Sequence, residues 1–308
     1  MRTHRTRAFH ILDLDLDLDL DLDLVLDLVL VLVVIAATAI ALVVLNRGVG
    51  RSGHGRGPKD GTQIRNIVQA MTIFAQGNRD RYPLPSILDA DNATVAEAGR
   101  SKDTTNNILS ILIYNSSISP ELCYSPAETN NTIAVHSTYQ NEAPAAAVNP
   151  ANALWDPAFR ADFTTGTGHT SYATAMTDGD PGPSFDRSTG RLARWGSTFN
   201  ATEAVVGNRG PLVTGRDAAG NAMFNAASIT LRIHGGPTTW EGNIGYNDNH
   251  VNFETRMDPA DVTYTTADGS NKADVLFYDE PDAKGLNAWL GIWVRGGILP
   301  SEFKGVHD

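Results

Sequence analysis

The chain has a single cysteine, Cys123, in 308 residues. That excludes an intrachain disulfide framework and a Cys-rich zinc module, and it leaves the compartment open. Aromatic residues make up only 7% and charged residues 19% of the sequence. Basic side chains are the scarcer sign, 24 Lys and Arg against 35 Asp and Glu, for a formal charge of -11. Nucleic acid is therefore not an expected partner, because backbone recognition draws on clustered Lys and Arg. Hydrophobic residues at 42% are ordinary for a globular protein and exclude a chain disordered throughout. Only one stretch is both long and apolar. Leu28 to Leu45 runs for 18 residues with Thr38 as its one polar member. As a helix it would span roughly 27 Å, close to the thickness of a thin hydrocarbon core. It reads as a single membrane-crossing helix, with a buried helix or the apolar core of a secretory leader as competing readings.

What precedes that run is unusual. Arg2, His4, Arg5 and Arg7 form a basic head, and Leu then alternates with Asp at positions 13, 15, 17, 19, 21 and 23, with a further Asp27. A period of two spreads carboxylates around a whole helix, so no apolar stripe survives. Each Asp at a bilayer centre costs about 2.5 to 3.5 kcal/mol, so the tract is expected in water or at the interface. A slip in the deduced sequence over an ordinary apolar segment is the alternative reading. On the other side of the apolar run lie Arg47, Arg51, Arg56 and Lys59, which by simple counting would hold the body in the cytoplasm. The glycines from Gly48 to Gly57 and Pro58 predict a flexible joint. The chain thus divides into a leader and Asp/Leu repeat at 1–27, a transmembrane helix at 28–45, a Gly-rich joint at 46–61 and a globular domain at 62–308.

In the body, Ile64, Ile67, Val68, Met71 and Phe74 recur at helical spacing, with Thr62 or Asp60 as a candidate cap and Gly77 as the stop. A second helix is predicted from Thr104 to Tyr114, capped by Asp103 or Thr104. Pro120, Pro126, Pro144 and Pro150 mark a long irregular region. Beyond Leu154 the richness in Gly, Asp, Thr and Asn predicts a small sheet with long loops. Ser228 to Ile233 alternates as a strand. Asn243 to Tyr246 and His250 to Phe253 read as a hairpin turning through Asn247, Asp248 and Asn249, with Ile244, Tyr246, Val251 and Phe253 sharing the buried face. Val275, Phe277 and Ala288 to Val294 supply two more apolar segments.

Several pieces, in this order, resemble the type IV pilin-like pseudopilins, especially the bacterial group with a prepilin-type head and a C-terminal histidine to Asp-Gly motif. Arg7-Ala8-Phe9-His10-Ile11-Leu12-Asp13 is similar to the prepilin cleavage site. Gln63 to Gln76 with Asn78 to Pro83 resembles the amphipathic helix and proline loop. Ile118 to Glu128 resembles the family's Cys-Pro segment, and Ser171-Tyr172-Ala173 its Ser-Tyr step. Arg232-Ile233-His234-Gly235-Gly236 and the strand-turn-strand from Asn243 through Asp248, Asn249 and His250 to Phe253 resemble its closing pair. The sequence departs from the pattern in having Asp13 for Glu, Ser125 before Pro126, a wider interval from His234 to Asp248, and Asn249 for Gly. Asn tolerates a left-handed turn, so the last change is mild.

The resemblance implies an α+β, pilin-like fold, with an N-terminal hydrophobic stem helix followed by a small antiparallel sheet with long loops. It implies a non-catalytic structural subunit of type II secretion or a related filament assembly, anchored once in the inner membrane with its body in the periplasm. The implied partners are a prepilin peptidase, other pseudopilin subunits and membrane lipid. Cleavage would fall between Ala8 and Phe9, the new Phe9 amine would be methylated, and Asp13 would pair with a neighbour's amine in the filament core. Carboxylates following Asp13 in that core predict poor or absent filament incorporation.

Other features carry less. His234 and His250 lack nearby Cys or spaced Glu to complete a nucleophile or zinc set, so turn hydrogen bonding is expected of them. No cofactor is implied. Calcium is the one metal considered, with Asp178, Asp180 and Asp186 in one oxygen-rich loop and Asp268 and Asp274 in another, although neither fits the twelve-residue calcium loop. Gly235-Gly236-Pro237 reads as a tight turn and not a phosphate loop. Trp240, Trp289 and Trp293 could form a sugar or partner surface or simply pack inside. A single-pass anchored extracytoplasmic binding or hydrolytic domain is the alternative function, to be recognised by carboxylates converging in a cleft.

Overall fold

The computed structural model describes residues 56–182, 187–236 and 238–308. The expected leader, the Asp/Leu repeat and the apolar run 28–45 lie outside the described residues, as do Ala8, Phe9, Asp13 and Asp186. Among the described residues no helix is long and apolar enough to cross a membrane.

Helix α1 spans Arg56–Gln76. Ile64, Ile67, Val68, Met71 and Ala75 are completely buried, on the stripe that the sequence spacing predicts. The helix begins earlier than expected, so residues 56–61 belong to it and not to a flexible joint. Pro58 is tolerated because its missing N–H falls in the first turn, where that donor has no intrahelical partner. The helix ends where Asn78 donates its side-chain amide to the Phe74 carbonyl, 2.7 Å away, just past Gly77. A short helix α2, Pro85–Leu88, follows the proline loop. Helix α3 spans Thr105–Tyr114, and Thr104 caps it by accepting from the Asn107 N–H at 3.3 Å. Asp103, the other candidate cap, instead accepts from the Ser86 N–H at 2.7 Å. Replacing Thr104 with Ala is expected to lower stability by about 1 kcal/mol, readable as a shift in the urea midpoint at constant slope.

The main sheet has six antiparallel strands in the order β10-β9-β1-β2-β5-β6. They are β1 (Tyr172–Ala175), β2 (Ala204–Asn208), β5 (Gly242–Tyr246), β6 (Val251–Glu254), β9 (Leu290–Arg295) and β10 (Lys304–Val306). Two small hairpins, β3 (Val213–Arg216) with β4 (Ala222–Phe224) and β7 (Thr263–Thr265) with β8 (Asn271–Ala273), stand apart from it. Helix α1 packs across β2, β5 and β6, and α3 lies against β9. One core fills the helix side, joining the α1 and α3 stripes to Tyr172, Val205 and Val206. The opposite side carries a second core that includes Ile244, Tyr246, Trp240 and Phe277. The α+β class with a small antiparallel sheet and long loops is thus present. Gly245 permits the close approach of helix to sheet, since a Cβ there would sit 2.8 Å from the Val68 side chain and 2.9 Å from Ile64.

Two strand expectations are corrected. Residues Ile229–Arg232 form a 3-10 turn, in which Ser228 caps the start by accepting from the Thr230 N–H at 3.3 Å and the Ile233 N–H bonds back to the Thr230 carbonyl at 3.2 Å. The 243–253 hairpin forms as predicted, but its four apolar residues do not share a face. Asn243 pairs with Phe253 and Gly245 with Val251, so Ile244 and Tyr246 project to the other side of the sheet. The turn itself uses Asn249 at φ 72°, with its N–H donating to the Tyr246 carbonyl at 2.9 Å. Val275 and Phe277 are buried in a loop, without a strand.

Candidate functional site

A densely connected polar site is built on the first turns of α1. Asp60, considered from sequence as a cap, lies inside the helix and is completely buried. Its Oδ2 accepts from His234 Nε2 at 2.9 Å and from the Asn243 side-chain amide at 2.8 Å. Its Oδ1 accepts from the Ser125 hydroxyl and lies 2.8 Å from the Tyr172 hydroxyl. That Tyr172 hydroxyl is also 3.0 Å from Gln63 Oε1, so one proton is shared between two acceptors. Gln63, one turn along, donates its amide to the Glu121 carbonyl at 3.0 Å and the Tyr124 carbonyl at 3.2 Å. Two side chains of one helix therefore hold the 121–125 segment, β1, the turn after the 3-10 segment, and β5.

Burial alone would push the Asp60 carboxyl up. The hydrogen bonds from His234 and Ser125, the charge of His234 and the bond from Tyr172 outweigh it, and the group is held below the ordinary carboxylate range. Burial and the neighbouring Asp60 carboxylate push the Tyr172 phenol well up, which keeps it a neutral donor. Ser125, Asp60 and His234 do not form a nucleophilic relay, because the carboxylate stands between the other two and the serine proton is spent on it. The chemical effect of the site is mechanical. A buried charge with four donors is costly to separate from any of them, so the segments that supply the donors are fixed to the helix.

No family model, curated protein or solved structure matches this chain.

The sequence motifs meet at this hub more fully than their spacing suggests. His234 supplies a donor to it, and Gly235 is required beside it, since a Cβ there would lie 2.3 Å from the Thr239 carbonyl. Gly236 shows no such need, since a Cβ there would meet only the Thr239 hydroxyl, at an ordinary 3.9 Å. Asp248 and His250 are outside the hub. They pair with each other across the hairpin turn, partly exposed, and the His250 ring stacks on Tyr246 with centroids 4.5 Å apart. Asp60, Gln63, Ser125, Tyr172 and Asn243 are the hub residues that reasoning from sequence did not assign to a site. The signal that could have found them is that all five lie in or beside segments that carry the pseudopilin resemblance.

The four described aspartates considered for calcium are engaged by other partners. Asp178 accepts from Arg191 Nη1 at 3.0 Å, and Asp180 accepts from the Gly182 N–H at 2.9 Å. Asp268 accepts from the Ser270 N–H at 3.0 Å, and Asp274 from the Ala288 N–H at 2.6 Å. Among the described residues no group of three or more His, Cys, Asp or Glu side chains is placed to hold a metal ion. Asp178 and Asp274 are nevertheless linked, through Arg191 and Asn287. The Arg191 guanidinium, which also pairs with Asp279 at 2.5 Å, donates to the Asn287 Oδ1 at 2.6 Å, and the Asn287 amide reaches Asp274 at 3.2 Å. A fixed cation of the chain thus occupies this acidic region. Of the three tryptophans considered as a surface, Trp240 and Trp293 are core residues, and Trp289 lines a cavity beside Arg191. Cys123 is buried, and burial pushes its thiol far up, so it behaves as a small apolar residue.

Proposed function

We propose that the chain is a membrane-anchored, pseudopilin-like structural subunit associated with type II secretion or a related filament assembly, and that it is non-catalytic. The observation that carries this reading is the hub. The segments that resemble the pseudopilins, from the helix at Gln63 through the 118–128 segment, Tyr172 and His234 to Asn243, converge on Asp60 and Gln63, although they are scattered over most of the described chain. A residue pattern whose members lock a long helix onto an antiparallel sheet suits a subunit that must transmit force between stem and body. In this reading the apolar run 28–45 anchors the chain once in the inner membrane, the body lies in the periplasm, and the partners are a prepilin peptidase, other pseudopilin subunits and lipid. Asp13 would take the pairing role in assembly, while the aspartates that follow it oppose incorporation into a filament core.

Mass spectrometry of the mature N-terminus tests the processing step. The expected product begins at a methylated Phe9. Recovery of intact Met1 from the membrane fraction would overturn it.

A second reading, an anchored extracytoplasmic binding or hydrolytic domain, is favoured by one observation: Glu203 and Asp274 both contribute to the wall of the cavity beside Trp289. Hydrolysis would need both carboxylates to reach a ligand. Asp274 is only 1% exposed, and its two oxygens already hold the Ala288 N–H and the Asn287 amide. Binding is the form of this reading that the geometry favours.

A further inference from the structure

An open cleft of about 270 Å3 lies where α1 ends, and its charge is opposite to that of the chain as a whole. Its apolar wall is made by Phe74 from the last turn of α1, Leu84 from the proline loop, and Ile87 and Leu88 from α2 and its end. Leu84 is buried, Phe74 and Leu88 are partly covered, and Ile87 is 48% exposed, so the cleft keeps apolar surface against water. The charged part of the wall comes from Arg79 and Arg81. Among the described residues no carboxylate lines it. In a chain with a formal charge of -11, a cleft with two cations and no acid in its wall is a local inversion of sign.

The turn that carries the cations is fixed from both sides. Arg79 and Asp80 have left-handed backbones, with φ 55° and 58°, which residues with a Cβ seldom adopt. The Asp80 N–H donates to the Ala75 carbonyl at 3.0 Å, the Asp80 carbonyl accepts from the Ser197 N–H at 2.8 Å, and the Arg81 N–H donates to the Asn78 carbonyl at 3.1 Å. Those bonds also cover the negative end of α1. The Phe74 carbonyl accepts the Asn78 side-chain amide and the Gly77 N–H, and the Ala75 carbonyl accepts the Asn78 and Asp80 N–H groups. Arg81 is held by the Ala193 carbonyl, to which its Nη1 donates at 3.3 Å. The Arg79 side chain is exposed, and no hydrogen bond or ion pair engages its guanidinium.

We propose that this cleft binds a medium-chain monocarboxylate, with the aliphatic tail against Phe74, Leu84, Ile87 and Leu88 and the carboxylate toward Arg79. The apolar wall disfavours inorganic anions, and the two arginines disfavour amines. At roughly 30 Å3 for each water-sized group, the volume takes about nine such groups, which matches a chain of about eight carbons and excludes a long acyl chain. The assignment does not rest on the filament reading, and a chain left uncut before Phe9 keeps the same cleft.

The test uses the full-length chain in nanodiscs of zwitterionic phosphatidylcholine, with empty discs as the blank. Sodium octanoate is titrated calorimetrically at neutral pH to about 10 mM, since a ligand of about ten heavy atoms binds weakly. Saturable heat above the blank is expected, with a Kd of about 1 mM. 1-Octanol, octylammonium and acetate, which lack the charge, reverse it or lack the tail, are each expected to bind more weakly. Arg79→Ala should weaken octanoate about threefold to fivefold, and Arg79→Lys should keep most of the affinity. Ile87→Asp, which sets a carboxylate in the wall, should weaken it about tenfold or more. Both positions are exposed, so the thermal midpoints should stay close to that of the parent, and if one variant fails to fold the other decides. The proposal is overturned by the absence of saturable heat above the blank, by a control compound that binds as tightly as octanoate, or by unchanged affinity in a folded Arg79→Ala or Ile87→Asp variant.

Discussion

Asp60→Ala is expected to lower stability by about 3 to 5 kcal/mol at neutral pH, because it removes the acceptor for buried donors on four separate segments. His234, Asn243, Ser125 and Tyr172 would all lose their carboxylate partner at once. Asp60→Asn should fall between the variant and the parent, since an amide keeps one acceptor and opposes the Asn243 amide. The acid limb supplies a second signature. The Asp60 carboxyl is held below its ordinary value in the folded chain, so its contribution is complete above about pH 4 and is lost as the pH falls through the depressed folded value. Asp60→Ala should therefore lose less stability than the parent on passing from pH 5 to pH 2. Equilibrium urea unfolding followed by tryptophan fluorescence measures both. A variant within about 1 kcal/mol of the parent at pH 7 would show that the hub does not hold the helix.

Asp274 gives the opposite pH behaviour. Its burial pushes the carboxyl up to about 7, despite the donors from Ala288 and Asn287 and the charge of Arg191, with Glu280 adding to the rise. In an unfolded chain an aspartate titrates near 3.9. Between about pH 4 and pH 7 the folded chain keeps a proton that the unfolded chain has released, so stability falls as the pH rises across that window. The whole effect is at most about 4 kcal/mol. Asp274→Asn copies the protonated group and removes this titration. Its stability relative to the parent should rise between pH 4.5 and pH 8 by a few kcal/mol, measured by the same urea unfolding. A difference that stays constant over that range would show that Asp274 is ionised throughout.

The helices were legible because their apolar spacing is regular, from Ile64 to Phe74 and from Ile108 to Leu112. The choice between Asp103 and Thr104 as the cap of the second was not, since it depends on Ser86 engaging Asp103 from outside the helix. The hairpin was legible from its turn residues, but its facing was not. An alternating apolar pattern on each strand fixes which residues alternate, and the pairing register decides which of them meet. Here the register set Gly245 opposite Val251 because the helix needed room at that point. Strands of three residues such as β7 and β8 are too short to show a period at all. Asp60 was misread for a simple physical reason. A carboxylate near a helix start is usually a cap, and only the distant partners on β1 and β5 make a buried position affordable. The hub was therefore visible in outline, through the resembling segments, while its central residue was not. Of the cavity beside Arg191 only Trp289 and Asp274 were singled out in the sequence as site candidates, because its other walls come from segments far apart in the chain.

The hub also has a consequence in time. Asp60 and Asn243 are 183 residues apart in the chain. A ribosome must make most of the protein before the carboxylate can meet its last donor, and closure over so long a span is slow. Until then the greasy side of α1 has only part of its cover. A newly made chain that stalls before β5 would be a target for holdases and proteases, and the quality control of this protein would rest on when its far end arrives.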